Sequence, residues 1–243
     1  MYINLLKECL LDSIYGSIVI RGPNKNEIAS EDSINNGNYW PNRAHTMIGR
    51  KRLNNIQFCF EECIKNNIEG DLIETGVWKG GATIFMQGLV KYHKQNRKVY
   101  VADSFEGLPK ADTVKYPADF KRGTQYHEVE ELKISLHDVK SNFKKYNLLD
   151  DNVVFIKGYF EHSLKNNDID KLCILRLDGD MYSSTIQVLE YLYHKVSKGG
   201  YIIIDDYGLG GCRKAVNDFR RDNHITTPIQ KIDWTGVYWK KNK

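Results

Sequence analysis

From about Gly70 onward, short β-rich runs alternate with helical patterns. The strand candidates are Asp71–Thr75, Val99–Asp103, Val153–Ile156, Leu172–Leu177 and Tyr201–Asp205. Within the last two, Cys173-Ile174-Leu175 and Ile202-Ile203-Ile204 are apolar without alternation, as in strands covered on both faces. Between strands, Ser135 to Tyr146 sets Leu136, Val139, Phe143 and Tyr146 at helical spacing. Its start, Ser135-x-x-Asp138, has the form of a capping box. On a helix from Ser183, Thr185, Leu189, Leu192 and Val196 make a second stripe. Lys198-Gly199-Gly200 then reads as a stop. Pro228–Ile232 and Gly236–Trp239 read as two further strands around a tight turn at Asp233-Trp234-Thr235. Repeated strand–helix–strand order predicts an α/β fold, a Rossmann-like, doubly wound and mostly parallel sheet.

Residues 1–69 show another pattern. Tyr2–Tyr15 predicts an amphipathic helix with Ile3, Leu6, Leu10 and Ile14 on one side. Residues 21–46, rich in Asn, Gly, Pro and Ser, read as a long loop or lid, and 104–134 also lack a core pattern. The expectation is one domain over 1–243: a helical and lid extension (1–69) on a Rossmann-like core (70–243).

Composition narrows the function. Of 243 residues, 41% are hydrophobic and 27% charged, enough apolar side chain for a buried core. No apolar run reaches the ~20 residues of a membrane span. Lys7, Glu8 and Asp12 interrupt the N-terminal apolar stretch, unlike a signal peptide, so a cytoplasmic location is expected. The net charge of +4 is small and its basic residues dispersed, which argues against nucleic acid. Five cysteines without framework spacing argue against a disulfide scaffold. Cys59 and Cys63, four apart on a predicted helix, read as packing residues, since no second pair completes a metal site.

In doubly wound sheets ligands bind beyond the carboxyl ends of the strands. The first strand ends in Glu74-Thr75-Gly76-Val77-Trp78-Lys79-Gly80-Gly81, whose glycines permit a sharp turn and close ligand approach. The second ends at Asp103, followed by Ser104; an acid there can accept from ribose hydroxyls, or simply cap a turn. The fourth ends Arg176-Leu177-Asp178-Gly179-Asp180 and the fifth Ile204-Asp205-Asp206. Four carboxylates at adjacent strand ends repel, and burying them unpaired is expensive. A hard divalent cation relieves this, and an all-oxygen set favours Mg2+ over Ca2+ or Mn2+. Helix capping is the alternative use of each aspartate. The seven histidines hold no His-x-x-x-His pair, so zinc is not expected.

Thr75-Gly76-x-x-x-Gly80 and Tyr191-x-x-x-Lys195 imitate an NAD(P)-dependent short-chain reductase or epimerase. Ala82 stands where that loop needs glycine, and Tyr191 and Lys195 point away from the apolar stripe, toward solvent. A non-catalytic, metal-dependent glycan-binding module is the third class. A reductase would bind NAD(P)H.

The chain resembles the macrocin O-methyltransferase family. The matching segments are Thr46-Met47-Ile48-Gly49 with Arg52-Leu53, then Asp71 to Gly81 and Ala102-Asp103-Ser104-Phe105-Glu106-Gly107-Leu108-Pro109. They continue with Leu175-Arg176-Leu177-Asp178-Gly179-Asp180-Met181-Tyr182-Ser183-Ser184-Thr185 and Gly199 to Tyr207. Lys79 replaces a usual Arg, and Gly158-Tyr159-Phe160-Glu161-His162-Ser163 a usual Gly-Trp-Phe-x-Asp-Thr. The first 40 residues and 110–134 match poorly. The resemblance implies an S-adenosylmethionine- and Mg2+-dependent O-methyltransferase acting on a sugar hydroxyl of a small molecule or glycan, and a homo-oligomer. It implies Asp178, Asp205 and Asp206 as metal ligands. Glu74, Gly76, Asp103, Ser104, Phe160, Thr46 and Met47 would line the cofactor site. Asp180, two residues beyond a ligand, is the first choice of general base. His127, a lid histidine whose ordinary pKa suits the task, is the second.

Overall fold

The computed structural model describes residues 1–120 and 123–242. Its sheet comprises β1 (Asp71–Thr75), β2 (Val99–Asp103), β3 (Val153–Lys157), β4 (Leu172–Leu177), β5 (Val196–Ile204), β6 (Gln230–Lys231) and β7 (Val237–Lys240). They are ordered β3-β2-β1-β4-β5-β7-β6. The first five are parallel; β7 runs antiparallel to β5, and β6 to β7. The helices are α1 (Tyr2–Leu10), α2 (Glu31–Asn36), α3 (Gly49–Lys65), α4 (Gly81–Tyr92), α5 (Gly123–Tyr126), α6 (Leu136–Lys145), α7 (Phe160–Ser163), α8 (Tyr182–Leu192) and α9 (Gly210–Asp222).

Alternate strand residues feed two cores. Leu72, Val101 and Ile203 join α1, α3, α4 and α6 on one face; Ile73, Leu175, Ile202 and Ile204 join α8 and α9 on the other. This two-sided burial is why those strands carry continuous apolar runs. The register sets Thr75 beside Ala102 and Leu177, and Leu177 beside Ile204, so the carboxyl ends finish level. Strand order reverses between β1 and β4, where a crevice opens above the sheet.

Three expectations need correcting. The first helix stops at Leu10 rather than Tyr15. Asp12 turns left-handed (φ 54°), and Ile14 is left 48% exposed. Lys198-Gly199-Gly200 is no helix stop but part of β5, where the register shifts at the facing Leu172 to Ile174 and Gly199 takes φ 89°. Residues 21–46 contain α2, capped by Ser30 accepting from the Ser33 N–H (3.1 Å) and ended by left-handed Gly37. Ser135 caps α6 as expected, its Oγ accepting from Asp138 N–H (3.1 Å) and donating to Asp138 Oδ2 (2.6 Å).

The extension is built onto the core. Leu6 of α1 fills the space that Gly88 of α4 leaves: a Cβ on Gly88 would lie 2.4 Å from its Cδ2. Cys59 and Cys63 are buried and free, and Cys63 Sγ donates to the Cys173 carbonyl (3.6 Å), consistent with packing. Among the described residues no helix is long and apolar enough to cross a membrane.

Candidate active site

A cleft of about 680 Å³ opens at the strand ends. Thr46, Met47, Glu74, Gly76, Asp103, Ser104, Phe160, Asp178, Asp180, Asp205 and Asp206 all line it. His127 is not brought there: its ring is partly buried on the strip after α5, with Nε2 3.8 Å from Glu128. Tyr191 and Lys195 do not line it either. Lys195 Nζ donates to the Ile169 carbonyl (2.6 Å) and to Asn167, a structural tie rather than the solvent exposure expected.

Local geometry explains how one wall is assembled. Gly76 (φ 86°) donates to the Ala102 carbonyl at 2.8 Å. A Cβ on Gly76 would lie 1.7 Å from the Asp178 carbonyl oxygen, so only glycine lets the β1 and β4 loops touch. Thr46 and Met47 arrive because the chain before them is pinned at both ends. His45 N–H donates to the Leu10 carbonyl (2.8 Å), and the His45 carbonyl accepts from Gly81 N–H (2.9 Å). Asp103 braces two loops: its oxygens accept from Val77 N–H (2.7 Å) and Phe105 N–H (2.8 Å). Ser104 Oγ also lies 3.3 Å from Oδ1, so the carboxylate is held from several sides at the cleft edge. Ser104 Oγ donates to the Gly107 carbonyl (2.6 Å) and closes the same turn.

The adjoining wall is a charge network. Asp178, Asp205 and Asp206 each offer a carboxylate oxygen, all within 4.8 Å of one another. Arg176, wholly buried on β4, donates to Asp178 (2.9 Å) and makes shorter contacts with Glu74 and Asp205. Arg52 of α3 reaches the other oxygen of Asp205, and its Nε donates to Asp233 (2.9 Å). The sequence pattern assigns neither arginine a role, yet both leave a trace there. Arg176 is the one charge inside a strand buried on both faces, and Arg52 lies on the stripe of Ile56, Cys59 and Cys63. A buried cation demands partners.

Those partners leave the outer carboxylates uncompensated. Asp206 accepts the Asp180 N–H at 3.0 Å, and among the described residues neither Asp180 nor Asp206 receives an arginine. Desolvation, then Asp178 and Asp205, push the Asp180 carboxyl up to about 7. Asp178 rises to about 6 through desolvation and Asp205, opposed by Arg176. Desolvation and the neighbouring Asp180, Asp178 and Asp205 hold Asp206 well above the carboxylate range. Burial carries Glu74 to about 8 in spite of Arg176, and its Oε2 is buried without a hydrogen-bond partner.

Known proteins resemble the chain along its length. The model of the family described as Macrocin-O-methyltransferase (TylF) matches residues 1–241. The mycinamicin III 3''-O-methyltransferase of Micromonospora griseorubida is 41% identical over 100% of this chain and 96% of its own. A tetracenomycin C rhamnosyl 4'-O-methyltransferase of Streptomyces olivaceus is 42% identical over 99% of this chain and 92% of its own. The solved O-methyltransferase NovP superposes with a TM-score of 0.93 at 41% identity, over 100% of this chain and 98% of its own. The match begins at residue 1, so the N-terminal segment belongs to the shared pattern, contrary to its poor motif agreement. It also sets aside the reductase and the non-catalytic glycan-binding module. A family match over residues 1–241, relatives about two fifths identical along the whole chain, and the NovP superposition together identify the chain as an O-methyltransferase of the macrocin O-methyltransferase family.

Proposed function

We propose that the enzyme methylates a hydroxyl of a sugar, using S-adenosylmethionine and a divalent cation, by preference Mg2+. The observation that carries this reading is the group Asp178, Asp205 and Asp206, converging on the cleft that Glu74, Gly76 and Asp103 wall. Its donors fit a hard cation: all are carboxylate oxygens, and the two arginines leave negative charge on the cleft side. The adjoining wall fits the cofactor, since Glu74 Oε2 is a buried acceptor without a partner and Gly76 leaves the turn open beside it. The relatives' names support a sugar acceptor, one of them specifying a rhamnosyl group.

S-adenosylmethionine supplies a methyl group already activated on a sulfonium, so the protein's tasks are alignment and deprotonation. A cation held by Asp178, Asp205 and Asp206 would favour negative charge on the acceptor oxygen. Gly76 and the Thr46–Met47 segment shape the donor side. Asp180, to which no described arginine donates, takes the hydroxyl proton. The reading includes a homo-oligomer, supported by an exposed apolar strip where Tyr2 and Tyr92 stack at 6.3 Å beside exposed Leu5.

Incubation with sugar-bearing acceptors and S-adenosylmethionine, read by mass spectrometry, tests the reading. A product 14 mass units heavier is expected, lost in EDTA and restored by Mg2+; full activity in chelator would refute the cation. For the base, Asp180→Asn should lower kcat by about 10²–10⁴-fold. His127→Asn should change it little. In the wild type kcat should rise with pH as the base ionises, at or below about 7 because a bound cation lowers the pKa. Asp180→Asn should lose that rise. Equal, minor effects of both substitutions would place the base elsewhere.

A further inference from the structure

The insertion at 104–134 carries one acidic side chain that is almost completely buried. Asp119 is 2% exposed and closes a short 3-10 turn, Pro117–Asp119, on an otherwise largely exposed segment. Its Oδ1 accepts from Tyr182 N–H (2.6 Å) and its Oδ2 from Ser183 N–H (3.0 Å). These are first-turn amides of α8, whose own N-cap, Met181, supplies no side-chain cap. The cap thus comes from a carboxylate 63 residues away in sequence. The site on α9 that Asp119 faces is a glycine: a Cβ on Gly211 would lie 3.5 Å from Asp119 Oδ1.

The segment that α8 begins is Asp178-Gly179-Asp180-Met181. Asp178 N–H donates to the Thr75 carbonyl (2.9 Å), which fixes its upstream end. Asp180 sits at φ 57°, a conformation costly for a residue with a side chain, and needs its surroundings to hold it there. Downstream, Thr185 Oγ1 donates to the Met181 carbonyl (2.7 Å), and Asp119 grips the next two amides. Three residues before Asp119, Tyr116 lines the cleft and its hydroxyl accepts from Gln187 of α8 (3.3 Å).

We propose that Asp119 is a positioning residue, which clamps the start of α8 and so holds the Asp178–Asp180 carboxylates in register with the insertion that walls the cleft. A carboxylate at a helix N-terminus gains both from hydrogen bonds and from the helix dipole, so the grip is strong. It touches neither substrate nor cation; it acts through Asp178 and Asp180. The inference rests on the proposed cation and base, and its test separates the two.

Asp119→Ala and Asp119→Asn are compared with the wild type by three measurements. Amide exchange should rise in peptides covering 178–184 and stay unchanged in those covering 71–77. Mn2+, titrated by electron paramagnetic resonance as the probe cation, should bind about 10–100-fold more weakly to Asp119→Ala. S-adenosylhomocysteine, followed by calorimetry, should bind within about twofold of wild type, because Asp119 does not contact the Gly76 wall; general destabilisation would instead weaken it. Asp119→Asn keeps one acceptor oxygen and should fall between in exchange and Mn2+ affinity, which keeps the test readable if alanine prevents folding. Unchanged exchange at 178–184 in either folded variant overturns the proposal, as does equal loss of Mn2+ and S-adenosylhomocysteine binding. If the wild type binds no Mn2+, the cation reading fails, and exchange alone decides the clamp.

Discussion

Replacing Asp178 by alanine should lower turnover by about three orders of magnitude while leaving S-adenosylhomocysteine affinity within a few-fold. Charge stabilisation by a metal supplies several kcal/mol in the transition state, and each ~1.4 kcal/mol is tenfold in rate. Asp178 is the member of the cluster whose side chain is a quarter exposed toward the cleft, whereas Asp205 is enclosed by two arginines. Alanine keeps what the cofactor wall requires of this position. The Asp178 N–H bond to Thr75 and the close approach of its carbonyl to Gly76 are both backbone features. Steady-state kinetics at saturating Mg2+, paired with calorimetry, read the two effects separately. Normal methylation by this variant would remove the cation site from the mechanism. Loss of S-adenosylhomocysteine binding would mean that the two walls are not independent.

The largest stability effect is expected at Arg176. Arg176→Met should cost about 3–5 kcal/mol, because it leaves the buried Glu74 and Asp205, with Asp178 beside them, without their shared cation. For a chain of this size that is a fall in Tm of roughly 10 °C. The pH dependence carries its own sign. Burial raises the Glu74 pKa from 4.5 unfolded to about 8 folded, so the folded protein binds the extra proton. Stability linked to this group is therefore greatest at low pH and declines as pH rises from about 4.5 to about 8. Arg176 also holds down the folded pKa of Asp178, about 6 in the wild type, so without it that pKa rises and the variant should lose more stability than wild type between about pH 6 and pH 8 and recover part of it in acid. Adding Asp205→Asn should restore some of the loss, since the two sites share one network. Thermal unfolding at pH 5 and pH 8 measures this. A Tm within 2 °C of wild type at both would mean that solvent reaches the network.

The strands, the glycine turn and the four aspartates at the strand ends are legible in the sequence, because each is a local property. Apolar runs at β4 and β5 record burial on both faces, and the residues just after a strand must lie at its carboxyl end. The helix over 31–36 is legible too, in Ser30, Glu31, Asp32 and Gly37, but the polar composition around it reads as loop. Which groups meet is decided by the tertiary structure alone. Arg52 and Arg176 stand 124 positions apart and share Asp205; Asp119 caps a helix 63 residues further on; Asp103 spends its oxygens on two loops; His127 stays outside the cleft. Local periodicity fixes the direction of a side chain relative to its own element. A hydrogen bond between distant segments depends on how the elements pack, and no short window of sequence contains that information.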